Sequence, residues 1–210
     1  MNNTLFSDSP ILGYGLILMI IYLIATGKIK TSVFLIIICI FALLLYFYRA
    51  PIGKDNDISN DILLAPSYGT VKAIKWTDDY VYVAIFLSPA DIHQQYYPVN
   101  GRVIQRVYDF TGKFDIAFSI DKSRMNEKKI HAIDTKHGIV IVTQLAGLLV
   151  RAIVSDEEIN VDVKAGTRFG MIKFGSRVDI AIPISKGFEL YCKVGDKLIG
   201  GKEIIGHWVH

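Results

Sequence analysis

The chain has 210 residues, a formal net charge of +3 and 51% hydrophobic residues, a share above that of an ordinary soluble domain. A charge this small excludes nucleic acid as a partner argued from electrostatics, although it suits a surface that meets anionic lipid. The two cysteines, Cys39 and Cys192, exclude a disulfide framework and a thiolate zinc site, and no metal is expected.

The hydrophobic excess lies at the start. Residues 11–26 (ILGYGLILMIIYLIAT) and 31–48 (TSVFLIIICIFALLLYFY) carry no charge and are separated by GKIK. Spanning about 30 Å of hydrocarbon takes roughly 20 helical residues, with about 17 as a lower limit. The second run reaches that length and the first is marginal. Residues 1–50 therefore read as a membrane-associated helical hairpin, either spanning, with a transmembrane helix, or re-entrant. Tyr14, Tyr22, Tyr46 and Tyr48 suit its interfaces. The competing reading is a helical hairpin buried in a soluble core. A cleaved signal peptide is disfavoured because residues 1–10 lack a basic start. Lys28 and Lys30 in the turn balance Arg49 and Lys54 beyond it, so the positive-inside rule selects no orientation.

Residues 51–61, including IGKDNDISND, are polar and turn-rich and read as a linker. From 62 to 210 the pattern changes to short alternating or apolar runs, among them TVKAIKW, YVYVAIFL, GRVIQRVY, GIVIVTQLAGLLVRAIV, NVDVKAG and VDIAIPI, cut by Gly, Pro and Asp. A β-rich α+β domain is predicted. RMNEKK (124–129) reads as one helical turn or an exposed loop, and the segment 187–209 as two strand-like pieces around glycine turns. No repeat of 20–50 residues is evident.

Within RFGMIKFGSRVDIAIP (168–183), alternation places Ser176 on the same strand face as Phe174, Val178 and Ile180. A glycine bulge in an ordinary strand is the plain reading of a lone Gly-Ser pair. No G-x-S-x-G elbow surrounds the serine, so a hydrolase nucleophile is a poor fit.

This block resembles the self-processing segment of the phosphatidylserine decarboxylase proenzymes, of the short bacterial and archaeal type. FLSPADIHQQYYPVNGRV (86–103), GKFDIAFSID with NEK (112–128), VTQLAGLLVRAIV (142–154), KVGDKLIGGKEI (193–204) and the hydrophobic runs before FYRAP (47–51) match in order. The resemblance implies cleavage between Gly175 and Ser176. Ser176 Oγ attacks the Gly175 carbonyl, and Ser176 becomes a pyruvoyl group heading chain 176–210, which stays bound to chain 1–175. The pyruvoyl ketone then forms a Schiff base with the amine of phosphatidylserine and accepts the electrons left by departing carbon dioxide, giving phosphatidylethanolamine. The resemblance further implies last strands like those of lipoyl-type hybrid folds and a homodimer. Its implied location is the cell or inner membrane, with the catalytic domain on the cytoplasmic side.

A serine needs a base. The family commonly carries an S-P-A-D-G turn whose aspartate orients the activating histidine; here the turn reads APSYG (65–69), with Tyr68 in the aspartate's place. His93 matches the histidine of the short form and is the expected general base or proton donor. Asp91, two residues earlier, would point to the same side of a strand and is the expected substitute orienter. His131, His137, His207 and His210 lack motifs and are expected to face solvent. Arg151, Arg168, Lys173 and Arg177 are candidates for the lipid phosphate or carboxylate, with structural ion pairs to Asp179 or Glu127 as the alternative. Asn126 and Glu127 match a family pair, and Tyr96, Tyr97 and Phe110 are candidates for an apolar lip. Two other functions stay open: archaetidylserine decarboxylation, and a non-maturing tethered relative that binds lipid or a partner.

Overall fold

Two compact units make up the chain, Met1–Pro51 and Ile52–His210. The computed structural model describes residues 10–26, 31–49, 51, 58–109, 126–147, 153–156, 158–172, 176–184 and 187–209.

In the first unit the two apolar runs are helices, α1 (Pro10–Thr26) and α2 (Thr31–Phe47). Pro10 suits a first helical position, where a missing N–H removes no bond. Each helix has 17 residues, which at about 1.5 Å per residue reaches about 26 Å, short of the roughly 30 Å of a hydrocarbon core. The expected transmembrane helix is corrected on that ground: among the described residues no helix is long and apolar enough to cross a membrane.

The second unit is built from strands. They are β1 (Ile62–Leu64), β2 (Gly69–Trp76), β3 (Tyr80–Leu87), β4 (Gln94–Tyr96), β5 (Gly101–Asp109), β6 (Lys128–Thr135) and β7 (Gly138–Leu145), then β8 (Ile153–Ser155), β9 (Val161–Val163), β10 (Arg168–Ile172), β11 (Ser176–Pro183), β12 (Phe188–Leu190), β13 (Lys197–Leu198) and β14 (Ile204–Trp208). An eight-stranded antiparallel sheet runs β13-β2-β3-β11-β7-β6-β5-β9, and two three-stranded sheets run β4-β10-β8 and β1-β14-β12. Alternation decides which face is buried. Val81, Val83, Ile85 and Leu87 of β3, Val140 and Val142 of β7, and Val178, Ile180 and Ile182 of β11 form one core cluster with Phe169 and Ile172 of β10 and with Ile205 and Trp208 of β14.

The run 138–154 holds β7, in the large sheet, and most of β8, in a small one. One sequence reading changes. RMNEKK is neither a helical turn nor exposed where it is described, because Asn126 and Glu127 are buried and Lys128–Lys129 begin β6. Cross-strand pairing to β5 and β7 over the whole of β6 outweighs the polar local composition.

β11 is central, paired with β3 along Ser176–Pro183 and with β7 along Arg177–Ala181. Ile180 is fully buried in it. Ile180→Ala should lower the unfolding free energy by about 2–5 kcal/mol through transfer and cavity terms. Urea denaturation would measure this, and a loss well under about 1 kcal/mol would contradict the core assigned to that face.

Candidate active site

Ser176 opens β11 opposite Leu87 of β3. Its side chain is fully buried, and its Oγ has no hydrogen-bond partner among the described residues. A buried hydroxyl left unbonded costs about 1–3 kcal/mol, so an orphan at the start of a central strand calls for a chemical reason. Gly175 and Lys173 lie outside the described residues, as do Arg151, Phe110 and His210.

His93 lies just before β4 and is fully buried. A closed turn precedes it. The Asp91 carboxylate accepts hydrogen bonds from the Ser88 N–H (2.8 Å) and hydroxyl (2.7 Å), and the Asp91 N–H donates to the Ser88 carbonyl (2.9 Å). The backbone carbonyl of Asp91 lies 2.8 Å from His93 Nδ1. A carbonyl only accepts, so in the neutral ring Nδ1 carries the proton and Nε2 the lone pair, the tautomer of a general base. Asp91 thus holds the ring through its main chain, while its carboxylate closes the turn. The strand-alternation argument for Asp91 does not apply because residues 88–91 form a turn. The His93 carbonyl accepts the Ile172 N–H at 3.3 Å, tying His93 to the end of β10 just ahead of Ser176.

The APSYG turn is clasped by the glycine-rich end of the chain. Gly201 N–H donates to the Ala65 carbonyl (2.8 Å) and Ala65 N–H to the Glu203 carbonyl (2.9 Å). A Cβ on Gly200 would stand 2.6 Å from the Ser67 carbonyl carbon, so only glycine fits this approach. The Tyr68 ring lies 6.3 Å from that of Tyr96. Burial, with a smaller contribution from Tyr68, holds the Tyr96 hydroxyl far above the usual phenol range, against an opposing pull from Arg168. Arg168 is half-buried, with Nη1 3.4 Å from Gln94 Oε1.

Arg177 faces away from Ser176, as successive strand residues must. It makes a two-pronged pair with Asp179, Nε to Oδ1 at 2.8 Å and Nη2 to Oδ2 at 2.9 Å. Burial nevertheless raises the Asp179 carboxyl above its ordinary value, opposing the Arg177 charge. Of the two readings of Arg177, the geometry is that of the structural ion pair.

Other expectations shift. Tyr96 and Tyr97 are buried rather than forming a lip, and the Tyr97 ring lies tilted against that of Phe169 in the core, centroids 4.8 Å apart. His131 is fully buried, not solvent-facing; His137 bonds Asp61 and stacks on Trp208, and His207 bonds the Tyr191 hydroxyl. Asn126 donates to the Ala146 carbonyl at 2.9 Å. Sequence reasoning missed the buried glutamines Gln95 and Gln144. Gln144 was visible as an amide inside the apolar run IVIVTQLAG. Among the described residues no group of three or more His, Cys, Asp and Glu could hold a metal ion. Ser176 carries a buried hydroxyl with no partner among the described residues, and His93 a buried imidazole whose Nδ1 faces the Asp91 carbonyl, groups of the two kinds that attack on a carbonyl needs.

Residues 42–206 match the family model described as phosphatidylserine decarboxylase. The chain is 36% identical over 183 residues to a phosphatidylserine decarboxylase proenzyme of a Wolbachia from Brugia malayi, covering 80% of this chain and 78% of the relative. Proenzymes of the same name from Chlorobaculum tepidum (38% over 169 residues, 77% and 76% covered) and Phocaeicola vulgatus (33% over 176 residues, 80% and 76% covered) are similar.

Removing Asp179 takes away the carboxylate paired with a guanidinium whose side chain is only 5% exposed. Asp179→Ala should destabilise the chain by about 3 kcal/mol. Urea unfolding at neutral pH tests this, and a change within about 0.5 kcal/mol would show that the pair carries no stability.

Proposed function

Because the chain belongs to the phosphatidylserine decarboxylase family, we propose that it is a self-processing carboxy-lyase that cuts itself between Gly175 and Ser176 and converts phosphatidylserine to phosphatidylethanolamine. The observation that carries this reading is the Ser176 hydroxyl, buried and without a partner among the described residues, inside the block RFGMIKFGSRVD. His93 Nε2 takes the Oγ proton as Oγ attacks the Gly175 carbonyl carbon. The C–N bond breaks, the Ser176 amine is freed, and an ester replaces the amide. Elimination of that ester leaves Gly175 as a carboxylate ending chain 1–175 and dehydroalanine at 176. Water then releases ammonia and leaves a pyruvoyl group.

Ser176 fits as the source of that group, since the ladder Arg177–Pro183 holds the new chain start between β3 and β7 after the cut. When present, the pyruvoyl group supplies a sink for the electron pair left as carbon dioxide departs. The chain's own residues do the rest. The half-buried Arg168 offers a charge to the head-group phosphate or carboxylate, and His93 Nε2 returns a proton to the product carbon. The membrane is the source of the substrate, and the exposed apolar side chains of α1 and α2, among them Leu18, Ile21, Leu35 and Ile36, are the surface that meets it.

Intact-mass spectrometry of purified protein should show the 23.5 kDa chain replaced by two fragments, the smaller beginning with a blocked keto group, while Ser176→Ala stays whole. A wild-type chain that stays uncut in lipid would favour the non-maturing tethered reading, which Tyr68 motivates. Asp91→Asn should slow the cut by less than about tenfold, since an amide oxygen still accepts from Ser88 and the main-chain tether on His93 survives; His93→Ala should slow it by about 10²–10⁴-fold. A loss for Asp91→Asn as large as that for His93→Ala would return the orienting role to the carboxylate.

A further inference from the structure

Ser176 and His93 are carried by different sheets. Ser176 opens a strand of the eight-stranded sheet, and His93 leads into β4, at the edge of the β4-β10-β8 sheet. Backbone ladders fix spacing within a sheet, but the hydrophobic contact between sheets is non-directional. Among the described residues, a run of directional bonds crosses from one sheet to the other through the apolar core. On β5, Arg106 Nη1 lies 2.8 Å from Nδ1 of His131 on β6. His131 Nε2 lies 2.8 Å from Gln144 Oε1 on β7, Gln144 Nε2 donates to Gln95 Oε1 on β4 at 2.9 Å, and Gln95 Nε2 donates to the His93 carbonyl at 2.7 Å. His131, Gln144 and Gln95 are fully buried.

The direction of the run is set at its outer end. A guanidinium only donates, so His131 Nδ1 accepts and Nε2 carries the proton. Gln144 must then present its oxygen to His131 and its amide N–H to Gln95, which in turn presents its own N–H to the His93 carbonyl. Arg106 is itself anchored, donating to the Tyr97 hydroxyl (2.9 Å) and, through Nε, to the Glu158 carbonyl (2.8 Å). The crossing point is built for this contact: Gly170 stands opposite Gln95 in the β10–β4 ladder, and a Cβ there would lie 2.9 Å from Gln144 Nε2. The missing side chain lets the amide of one sheet reach the other.

We propose that Arg106, His131, Gln144 and Gln95 are positioning residues for the maturation and decarboxylation chemistry, a polar pin that fixes the base His93 on one sheet relative to Ser176 on the other. None of them touches the reacting atoms. The pin rests on the reading of Ser176 and His93 as nucleophile and base. Apolar side chains of the same volume would fill this core without loss of stability, so stability alone does not account for three buried polar side chains in series.

The test follows the rate of cutting at 175–176 by intact mass in the full chain, beside thermal unfolding of the same variants in a Ser176→Ala background. The triple variant His131→Met, Gln144→Met, Gln95→Met removes the internal links together; at the two ends Arg106 keeps its bonds to Tyr97 and Glu158 and the His93 carbonyl keeps the Ile172 N–H. It should unfold within a few degrees of its parent yet cut roughly ten- to hundred-fold more slowly, the scale expected when reacting groups are misplaced by about 1 Å. His131→Gln, whose amide can accept from Arg106 and donate to Gln144, should keep the rate within about threefold, while His131→Met should lose as much as the triple variant. Equal rates for His131→Gln and His131→Met, or a folded triple variant cutting at the wild-type rate, would overturn the pin. Nitrogen NMR of the uncut Ser176→Ala protein gives a readout independent of cutting: His131 should appear as the single Nε2–H tautomer, and the other tautomer or an imidazolium would equally overturn it. A wild-type chain that never cuts would instead defeat the reading on which the pin rests.

Discussion

The structure depends on the hydrogen-bond ladders on both sides of β11. This strand is held by β3 from Ser176 to Pro183 and by β7 from Arg177 to Ala181, and its alternate residues Val178, Ile180 and Ile182 are fully buried. The serine at the first position pairs with Leu87 of β3, so the ladder fixes the strand face on which its side chain lies. The same ladders hold the C-terminal segment against the rest of the chain if the bond before it is cut, because neither β3 nor β7 belongs to the segment 176–210. On the proposed reading, the position of the serine and the cohesion of the two chains come from one set of bonds.

Around this strand the polar groups fall into two kinds. Arg177 and Asp179 face away from Ser176 and satisfy each other, which is structural use of charge at a partly open site. His93, Gln95, Gln144 and His131 are buried on the core side, where each polar atom carries a desolvation cost unless it is bonded. That cost makes a series of buried amides a strict geometric device. Shifting one sheet relative to the other would break bonds that water cannot replace. The main-chain carbonyl of Asp91 adds a local restraint by selecting the tautomer of His93, in a chain where Tyr68 stands in place of the family's aspartate.

Much of this was legible in the residues. The charge-free runs 11–26 and 31–48 lie within one residue of α1 and α2, since apolar helices need nothing beyond local hydrogen bonds and length. The strands β2, β3, β5 and β11 followed from alternation. β6 did not, because KKIHAIDT mixes buried and polar residues and becomes a strand by pairing with β5 and β7, neighbours that no local window contains. The burial of His131 was hidden for the same reason: a histidine next to two lysines reads as surface until the face of its strand is known.

By itself the sequence determined the family and the β-rich character of the second unit, and it singled out Gly175-Ser176 and His93 as candidates, because these reside in contiguous motifs and short periodicities. The tertiary structure alone decided that the Asp91 main chain rather than its carboxylate holds His93, that Arg177 is occupied by Asp179, and that Arg106, His131, Gln144 and Gln95 line up toward the His93 carbonyl. These are relations between residues up to 49 positions apart in the chain. The two contacts between residues two positions apart needed the local backbone path to choose among polar atoms, whereas the run from Arg106 to Gln95 arises only when strands of two sheets are brought together, and nothing in the local order of residues specifies which polar atoms will then meet.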